Sequence, residues 1–487
     1  MTIALNDITS IRTVLAGLDP KSAASAAQPM AINDLYAPPA HSRALSFETP
    51  LVVGNRGAGK SVWSGVLADT QTRVELAAQY KTLGLDRMVV ALGFHEDAGK
   101  VEGVAPSSAV LSSLLTNNVD AETIWTAVLL RAIGPTIGLN LPVALKEIVA
   151  WITDDPERSE AALRTADKRF GENNSKFLLV FDALDRLANN WETIRPLTQG
   201  ILRLALSMFG FKNMRAKVFL RTDQERDEAL FNFPDASKLR ALTVRLAWHA
   251  SELYGLLLST LYRNEMSRSA FERCIREALD RKPSQIDLVD ETQQRAIFSL
   301  IAGEFMGADR RRGRTYTWMV DHLADAFHET TPRSFLIALQ RAASTRTKPE
   351  RNVIDHYGIR EGVQAASAIR VDQLLEDYPW IKIVLEVLAG LEVPCKPEAF
   401  LRRWQSEGTV MRVNEVTARS GRPGPIGLEG ATTHVQGESV LLDALKSIGV
   451  VEERSADRIN MPDLFRVAAK IKRRGGVRPP AAGMKRA

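Results

Sequence analysis

The chain has 487 residues, of which 45% are hydrophobic and 25% charged, and its formal net charge is +5. This balance is typical of soluble globular proteins and excludes a wholly disordered chain, while the length predicts two or three domains. No run of 18 apolar residues occurs, and residues 1–16 lack the features of a secretory signal, so we predict a cytoplasmic protein with no membrane contact. The two cysteines, Cys274 and Cys395, lie far apart and indicate neither a disulfide framework nor a zinc site.

The first half of the chain has the pattern of an α/β domain. Residues 1–48 are predicted to form an N-terminal arm, because their Ala/Ser/Pro-rich portion has no sustained periodicity. From residue 49 to residue 247, short apolar runs alternate with longer helical patterns, which predicts a parallel sheet with crossover helices. The predicted strands are 51–53, 88–92, 177–181, 218–220 and 242–246.

A complete phosphate-binding motif, G-x-x-x-x-G-K-[ST], follows the first predicted strand and precedes a helical pattern. Glycines let backbone N–H groups wrap a phosphate, and the helix N-terminus adds partial positive charge. Lys60 is expected to reach the β- and γ-phosphates of ATP, and the Ser61 hydroxyl is expected to bind Mg²⁺. The predicted nucleotide site comprises Gly54, Asn55, Arg56, Gly57, Ala58, Gly59, Lys60 and Ser61. The motif therefore predicts an ATP-binding α/β domain built on a P-loop sheet.

An acidic motif follows the third predicted strand. Asp182, directly after that strand, has the position of the carboxylate that holds the Mg²⁺ shell in P-loop ATPases. Ala183 replaces the catalytic acid that usually comes next, and the following acid is Asp185. We predict Asp182 as a metal ligand and Asp185 as the residue that polarises the attacking water; the alternative is that Asp185 only caps the next helix. Arg186 is expected to pair with Asp185, to reach a neighbouring subunit, or to form an ordinary salt bridge.

Polar residues also follow the fourth predicted strand and open a later helical pattern. Arg221 and Thr222 come directly after that strand, at the sheet edge where ligands bind in open α/β folds. Thr331, Pro332 and Arg333 begin a helical pattern in which proline has a first-turn position. Arg333 is thus expected to project onto the phosphates from the helical region.

The second half of the chain is predicted to be largely helical. Strand signals stop from 248 to 345, where helical spacing predicts an all-α lid. A basic connector at 344–351 leads to a third domain over 346–475, and the chain ends in a flexible basic tail at 476–487. A Gly/Pro/Arg-rich segment at 417–433 is predicted to be a mobile loop. In the third domain, helices are predicted at 380–391, 397–404 and 439–448, and a β-hairpin at 450–461.

The phosphate motif, the stretches 180–186 and 218–223, and the tripeptide 331–333 together resemble the AAA+ class of P-loop ATPases. Within that class, the chain looks like bacterial STAND-like and KAP-like ATPases and like origin-recognition ATPases. Its C-terminal helices and hairpin look like a winged-helix domain, which follows the lid in the origin-recognition and STAND-like arrangement. The resemblance implies that Arg221 or Thr222 is the first sensor of the nucleotide and that Arg333 is the second. The alanine that replaces the second acid departs from the family pattern and favours slow hydrolysis.

We therefore predict an ATP-driven switch or motor of the AAA+/STAND type, and the resemblance alone implies a role in bacterial antiviral or mobile-element conflict. One alternative is a DNA-associated ATPase of the origin-recognition or loader kind, because basic residues concentrate near the C-terminus. These are Arg466, Lys470, Lys472, Arg473, Arg474, Arg478, Lys485 and Arg486. Another is a regulatory scaffold that binds ATP but barely hydrolyses it. The expected partners are further copies of the chain, nucleic acid through the basic tail, and an effector protein encoded nearby.

Other polar clusters are interpreted as structural. His95, Glu96 and Asp97 follow a strand without a second histidine at ligand spacing, so a surface loop is expected rather than a metal site. Trp318 and His322, four positions apart, are expected to pack on one helix face. The basic cluster Arg311, Arg312 and Arg314 is expected to be a solvated loop, with an arginine finger as the alternative.

Overall fold

The chain folds as two compact units. The sheet unit comprises residues 22–246, and the helical unit comprises residues 1–21 together with residues 247–487. The structure is a computed structural model. The described residues are 4–20, 30–32, 34–188, 190–345, 351–420, 424–428 and 434–474.

Five parallel strands form the sheet of the sheet unit, in the order β2-β3-β4-β1-β5. They are β1 (Leu51–Val53), β2 (Met88–Phe94), β3 (Lys176–Phe181), β4 (Met214–Leu220) and β5 (Val244–Arg245). All five predicted strands are confirmed, and with them the predicted α/β fold class. Val53 of β1 lies opposite Leu220 of β4, so the loops that follow these two strands leave from the same edge of the sheet.

Helices flank the sheet and make up most of the helical unit. The α-helices before residue 247 are α1 (Leu5–Ala16), α2 (Ser42–Leu45), α3 (Lys60–Ala68), α4 (Thr70–Ala77), α5 (Ser108–Thr116), α6 (Ala121–Ile137), α7 (Leu145–Asp154), α8 (Pro156–Glu172), α9 (Trp191–Ser207), α10 (Thr222–Arg226) and α11 (Ala236–Ala241). Those after residue 247 are α12 (Ala250–Arg263), α13 (Glu265–Leu279), α14 (Glu291–Ala302), α15 (Thr315–Leu323), α16 (Pro332–Ala343), α17 (His356–Asp377), α18 (Trp380–Val387), α19 (Pro397–Ser406), α20 (Thr409–Ser420), α21 (His434–Ser447) and α22 (Asp463–Arg466).

Alternate residues of the strands face two separate apolar cores. On β3, Phe177, Leu179 and Phe181 lie in the core that includes α6 and α9, whereas Leu178 and Val180 lie in the core that includes α3. All five side chains are buried. A strand covered on both faces can be apolar at every position, which is why this strand appears in the sequence as a continuous apolar run.

Lys217 is a fully buried cation in β4. Its Nζ donates to the carbonyl oxygens of Ser46 at 2.9 Å and Thr49 at 2.6 Å, in the segment that leads to β1. Burial lowers the pKa of Lys217 to about 7. A neutral amine keeps two N–H groups, enough for both carbonyls, so Lys217 can hold this segment against the sheet in either protonation state.

Lys217→Met is expected to lower the free energy of unfolding by about 2 kcal/mol, since two buried carbonyls lose their donor. Between the folded pKa of about 7 and the ordinary value of 10.5, the unfolded chain keeps a proton on Lys217 that the folded chain has released. This group therefore makes the stability of the wild type rise with pH in that window, and the variant lacks that contribution. Urea unfolding of both proteins at pH 7 and pH 9 measures the difference; an identical rise in both would contradict the assignment.

The segment predicted as a single N-terminal arm is divided between the two units. Helix α1 packs against α13 and α16 of the helical unit, with Ile8, Ile11 and Leu15 buried. Nε of Arg273 on α13 also donates to the Asp7 carboxylate at 2.9 Å. The expectation of one arm was wrong because the apolar face of α1 packs against helices more than 200 residues further along the chain. The periodicity of a local segment gives no information about such distant contacts.

The predicted helical region after the sheet is confirmed as α12 to α16, and a further long helix, α17, was not predicted. Two glycines explain how α17 comes close to α16. A Cβ atom on Gly362 would lie 2.2 Å from the Ala338 carbonyl oxygen, and one on Gly358 would lie 2.8 Å from that of Ala342. Any larger residue at either position would push the two helices apart.

The C-terminal part of the helical unit contains the predicted hairpin, formed by β7 (Glu452–Arg454) and β8 (Arg458–Asn460). A parallel pair, β6 (Glu392–Val393) and β9 (Lys472–Arg473), lies in the same unit. The three predicted helices are present as α18, α19 and α21. Residues 417–420 belong to α20, so the loop predicted there was wrong for those positions. The winged-helix assignment of this region stays a prediction.

Several predicted segments lie wholly or partly outside the described residues. These are residues 346–350 of the connector, 421–423 and 429–433 of the loop, and the whole tail 476–487. Among the helices that the structure describes, each is too short or too polar to cross a membrane.

Candidate nucleotide-binding site

The phosphate motif forms the turn between β1 and α3, as the sequence predicted. Gly57 and Gly59 have φ values of 86° and 100°, in the left-handed region that favours glycine. A Cβ atom on Gly54 would lie 3.2 Å from Cβ of Ala58 and 3.3 Å from Cβ of Leu246. The glycines thus serve two needs: backbone curvature in the turn, and close packing where the turn leaves β1.

Lys60, the first residue of α3, turns back onto the loop. Its Nζ donates to the carbonyl oxygens of Gly54 at 2.7 Å and Asn55 at 3.1 Å. Burial lowers the pKa of Lys60 to about 8, although the negative charge of Asp182 opposes this shift. The cation therefore lies inside the concave side of the loop, where a phosphate group would be its natural partner.

Asp182 is tied to a neighbouring strand and to a helix. Its backbone N–H donates to the Phe94 carbonyl oxygen at 3.0 Å, across from β3 to β2. Its Oδ2 accepts a hydrogen bond from Oγ of Ser64 at 2.9 Å, and Ser64 lies one turn after Ser61 on α3. Mg²⁺ takes one or two protein oxygens together with phosphate oxygens and water, so the hydroxyl of Ser61 and the carboxylate of Asp182 are a suitable donor pair.

Asp185 lies in the 3₁₀ turn Leu184–Arg186, which begins two residues after Asp182 at the end of β3. Its Oδ2 is 3.3 Å from Nη1 of Arg221. Burial alone would raise the pKa of Asp185, but the positive charges of Arg221 and Arg186 outweigh burial and lower it. The helix-cap alternative is wrong, because Asn190 caps α9 by accepting from the backbone of Thr193 at 2.8 Å.

The two residues after β4 contact different parts of the same site. Oγ1 of Thr222 donates to Oδ1 of Asn55 in the phosphate loop at 2.7 Å. The Arg221 guanidinium pairs with Asp223 at 3.1 Å as well as with Asp185. The loop after β4 is therefore joined both to the phosphate loop and to the acidic turn after β3.

Arg333 belongs to the helical unit and is the second residue of α16. Pro332 precedes it at the first helical position, and Oγ1 of Thr331 accepts from the backbone of Ser334 at 3.3 Å. The predicted helix start is therefore confirmed, whereas the role of Arg333 as a sensor stays a prediction.

Two residues of this site, Ser64 and Glu96, were not predicted from the sequence. Ser64 could have been suspected from its spacing of three from Ser61 on one helix. Glu96 was taken for part of a surface loop, and its Oε2 lies 3.3 Å from Nη1 of Arg186, so Arg186 forms a salt bridge with Glu96. His95 itself is buried, whereas Gly99 and Lys100 in the turn that follows it are exposed.

The structure also places two other polar clusters that the sequence analysis interpreted as structural. The rings of Trp318 and His322 stack with centroids 3.8 Å apart. Arg311 and Arg312 are exposed, and their use as an arginine finger stays a prediction. Among the described residues, no group of three or more His, Cys, Asp or Glu side chains is arranged to hold a metal.

The fold and these contacts define a P-loop domain with its site at the carboxyl edge of the sheet. No family model and no curated protein matches the chain. Among solved structures, the chain is similar to Cdc6p from Pyrobaculum aerophilum, at 13% identity over 86% of this chain and 84% of that one, with a TM-score of 0.29. It is also similar to the Aeropyrum pernix ORC2 protein in its ADPNP–ADP complexes, at 12% identity over 90% and 98%, with a TM-score of 0.31.

A third similar structure is the Aeropyrum pernix ORC1 protein in complex with DNA, at 14% identity over 88% of both chains, with a TM-score of 0.33. At such identities and scores, the function has to be inferred from the residues of this chain.

Proposed function

We propose that the chain binds ATP with Mg²⁺ and hydrolyses it to ADP and phosphate, as a conformational switch of the AAA+ class. The observation that carries this proposal is the connected set of contacts around the phosphate loop. Lys60 lies inside the loop, Asp182 is joined to α3 through Ser64, and Thr222 is joined to Asn55. Three loops from neighbouring strands thus meet where a nucleotide phosphate chain would lie.

Each residue has a role that follows from its position. Backbone N–H groups of the loop and the start of α3 would hold the β-phosphate. Lys60 would exchange its two loop carbonyls for phosphate oxygens, whose negative charge counters the burial that lowers its pKa. Ser61 and Asp182 would hold Mg²⁺, which when bound neutralises charge on the phosphates.

Arg221 gives the site a means of distinguishing ATP from ADP. It pairs with Asp185, and a γ-phosphate beside it would compete for the guanidinium. The turn Leu184–Arg186 would then have different surroundings with the two nucleotides. A ligand shifts a conformational equilibrium only through differential affinity, and this competition supplies such a difference. Arg333 as the second sensor rests on the family resemblance alone.

Two measurements on the purified protein test the proposal. Calorimetric titration with ATP, ADP and Mg²⁺ should detect binding, and single-turnover assays with protein in excess should detect slow conversion of ATP to ADP and phosphate. Binding without hydrolysis would favour the alternative of a regulatory scaffold. No binding of either nucleotide would overturn the proposal.

A second function, contact with nucleic acid, is favoured by the charge of the C-terminal strand. Lys472, Arg473 and Arg474 are consecutive and exposed on and after β9. By contrast, Lys446 of α21 pairs with Asp443 at 3.2 Å and with Glu453, so its charge is already neutralised. Binding would therefore depend on the strand and the basic residues that follow it, without sequence preference.

Changing Lys472, Arg473 and Arg474 together to glutamine is expected to weaken binding to duplex DNA equally for all sequences. The slope of log affinity against log salt should fall by about 1 for each phosphate that the variant no longer neutralises. Fluorescence anisotropy at several salt concentrations measures both quantities, and Lys446→Gln is the matched control that should bind as the wild type does. An unchanged salt slope in the triple variant would count against this role.

The remaining proposals rest on the family resemblance alone. They are assembly with further copies of the chain, coupling to an effector protein encoded nearby, and a place in antiviral or mobile-element conflict. Coupling to an effector and a role in conflict both build on the ATP-driven switch, so ATP binding and hydrolysis are the first properties to test.

A further inference from the structure

Glu96 lies at the same edge of the sheet as the phosphate loop. It follows β2 by two residues, and β2 is the neighbour of β3 in the sheet, with Phe94 opposite Phe181. Because the strands are parallel, Glu96 and Asp182 leave their strands close to each other and in the same direction. Glu96 therefore belongs to the loops that surround the proposed Mg²⁺ and phosphate site.

The Glu96 side chain approaches the residues that follow β3. Its carboxylate pairs with Arg186 at 3.3 Å, and 27% of the side chain is exposed. Burial raises the pKa of Glu96, and the positive charge of Arg186 opposes that shift. The neighbouring carboxylates of Asp97, Asp182 and Asp185 raise it further. A carboxylate that binds a proton more tightly than usual is suited to accept one.

Asp185 is also paired with an arginine, but its pKa shifts in the opposite direction from that of Glu96. Its carboxylate is paired with Arg221, and the arginines around it lower its pKa in spite of burial. A carboxylate held in this way is a weaker base. Ala183 occupies the position of the usual catalytic acid, and its methyl side chain cannot accept a proton. Glu96 is thus the acid in this part of the site whose surroundings favour proton uptake.

We propose that Glu96 is the general base for hydrolysis of ATP, supplied from β2 in place of the acid that is missing at Ala183. The inference rests on the proposed ATPase function. A water oxygen bonds to the γ-phosphorus, the bond from that phosphorus to the β,γ-bridging oxygen breaks, and its electron pair leaves with ADP. The water proton passes to the Glu96 carboxylate and then to solvent. Asp185 instead keeps Arg221 beside the site.

Glu96→Gln tests this role, since it keeps the shape of the side chain and removes the proton acceptor. ATP affinity should stay within about twofold of the wild type, while the single-turnover rate should fall about 100-fold or more. Glu102→Gln is the matched control: Glu102 is exposed in the segment between β2 and α5, and the rate of this variant should be unchanged. Retained ATP affinity also shows that the variant is folded.

Two further variants separate a base at Glu96 from a positioning role and from a base at Asp185. Arg186→Gln removes the ion pair but leaves the base, and is expected to keep most of the activity. An equal loss in Arg186→Gln and Glu96→Gln would mean that Glu96 only positions Arg186, and would overturn the inference.

Normal turnover by Glu96→Gln, with Asp185→Asn slowed about 100-fold, would assign the base to Asp185 instead. A wild-type protein that hydrolyses no ATP would show that the proposed function itself has failed.

Discussion

Replacing Lys60 with alanine is expected to raise the dissociation constant for Mg²⁺-ATP at least about 100-fold, which corresponds to about 2.7 kcal/mol. Its Nζ lies inside the phosphate loop, 2.7 Å from the Gly54 carbonyl oxygen, where it would meet the β- and γ-phosphates. Charge-assisted hydrogen bonds to phosphate are among the strongest that a side chain makes. Burial lowers the pKa of Lys60 to about 8, so the side chain is mostly protonated at pH 7. Calorimetric titration with a non-hydrolysable ATP analogue measures the loss.

Lys100→Ala is the matched control for this variant, because it makes the same change of charge in the same unit. The Lys100 side chain is 76% exposed and should leave nucleotide affinity unchanged. Thermal unfolding checks that Lys60→Ala is folded, since the carbonyls of Gly54 and Asn55 lose their donor. Wild-type affinity in a folded Lys60→Ala protein would contradict the phosphate-loop assignment.

The parts of the site that the sequence predicts correctly are those with a local signal. The phosphate motif is contiguous, and its glycines are needed for backbone conformations that other residues rarely adopt, as at Gly57 and Gly59. The acidic strand end is recognisable because β3 is buried on both faces and appears as an unbroken apolar run. Strand and motif together therefore predicted the fold of the sheet unit and the position of Lys60.

The contacts between distant residues had no such signal. The hydrogen bond from Ser64 to Asp182 depends on how α3 packs over β3, and the pair of Glu96 with Arg186 depends on β2 lying beside β3. Neither the strand order nor the side of the sheet that a helix covers can be read from periodicity alone. The packing of α1 against α13 and α16 was not predicted for the same reason: these helices are far from α1 in the sequence.

Strand order also explains how the charges of the site are distributed. Acidic residues follow β2 and β3, at Glu96, Asp182 and Asp185, and cationic residues follow β4 and β1, at Arg221 and Lys60. In the order β2-β3-β4-β1, these three acids lie on one side of the edge and these two cations on the other, while Arg186 after β3 and Asp223 after β4 are ion-paired with Glu96 and Arg221. A phosphate chain held by the cations would thus present its terminal phosphorus towards the acids, which is the arrangement that activation of water requires.

The charge of Asp182 is expected to be needed for catalysis with Mg²⁺. In Asp182→Asn, single-turnover hydrolysis should fall at least about 100-fold, because a metal that polarises phosphate oxygens contributes several kcal/mol to the reaction. Affinity for ATP measured without Mg²⁺ should stay close to that of the wild type. The amide of asparagine keeps an oxygen that can accept from Ser64, so the local structure is retained while the charge is lost.

Ser64→Ala tests the hydrogen bond that supports Asp182 separately from the charge of Asp182. It removes the 2.9 Å hydrogen bond and leaves the carboxylate in place. A net hydrogen bond of about 1 kcal/mol predicts a loss of about fivefold, far smaller than the loss in Asp182→Asn. Hydrolysis by both variants should be followed as the Mg²⁺ concentration is raised, since a weakened metal site is rescued by excess metal and a site without the carboxylate is not. Wild-type turnover in Asp182→Asn, with an unchanged requirement for Mg²⁺, would show that the metal is held elsewhere and that Asp182 only fastens β3 to α3.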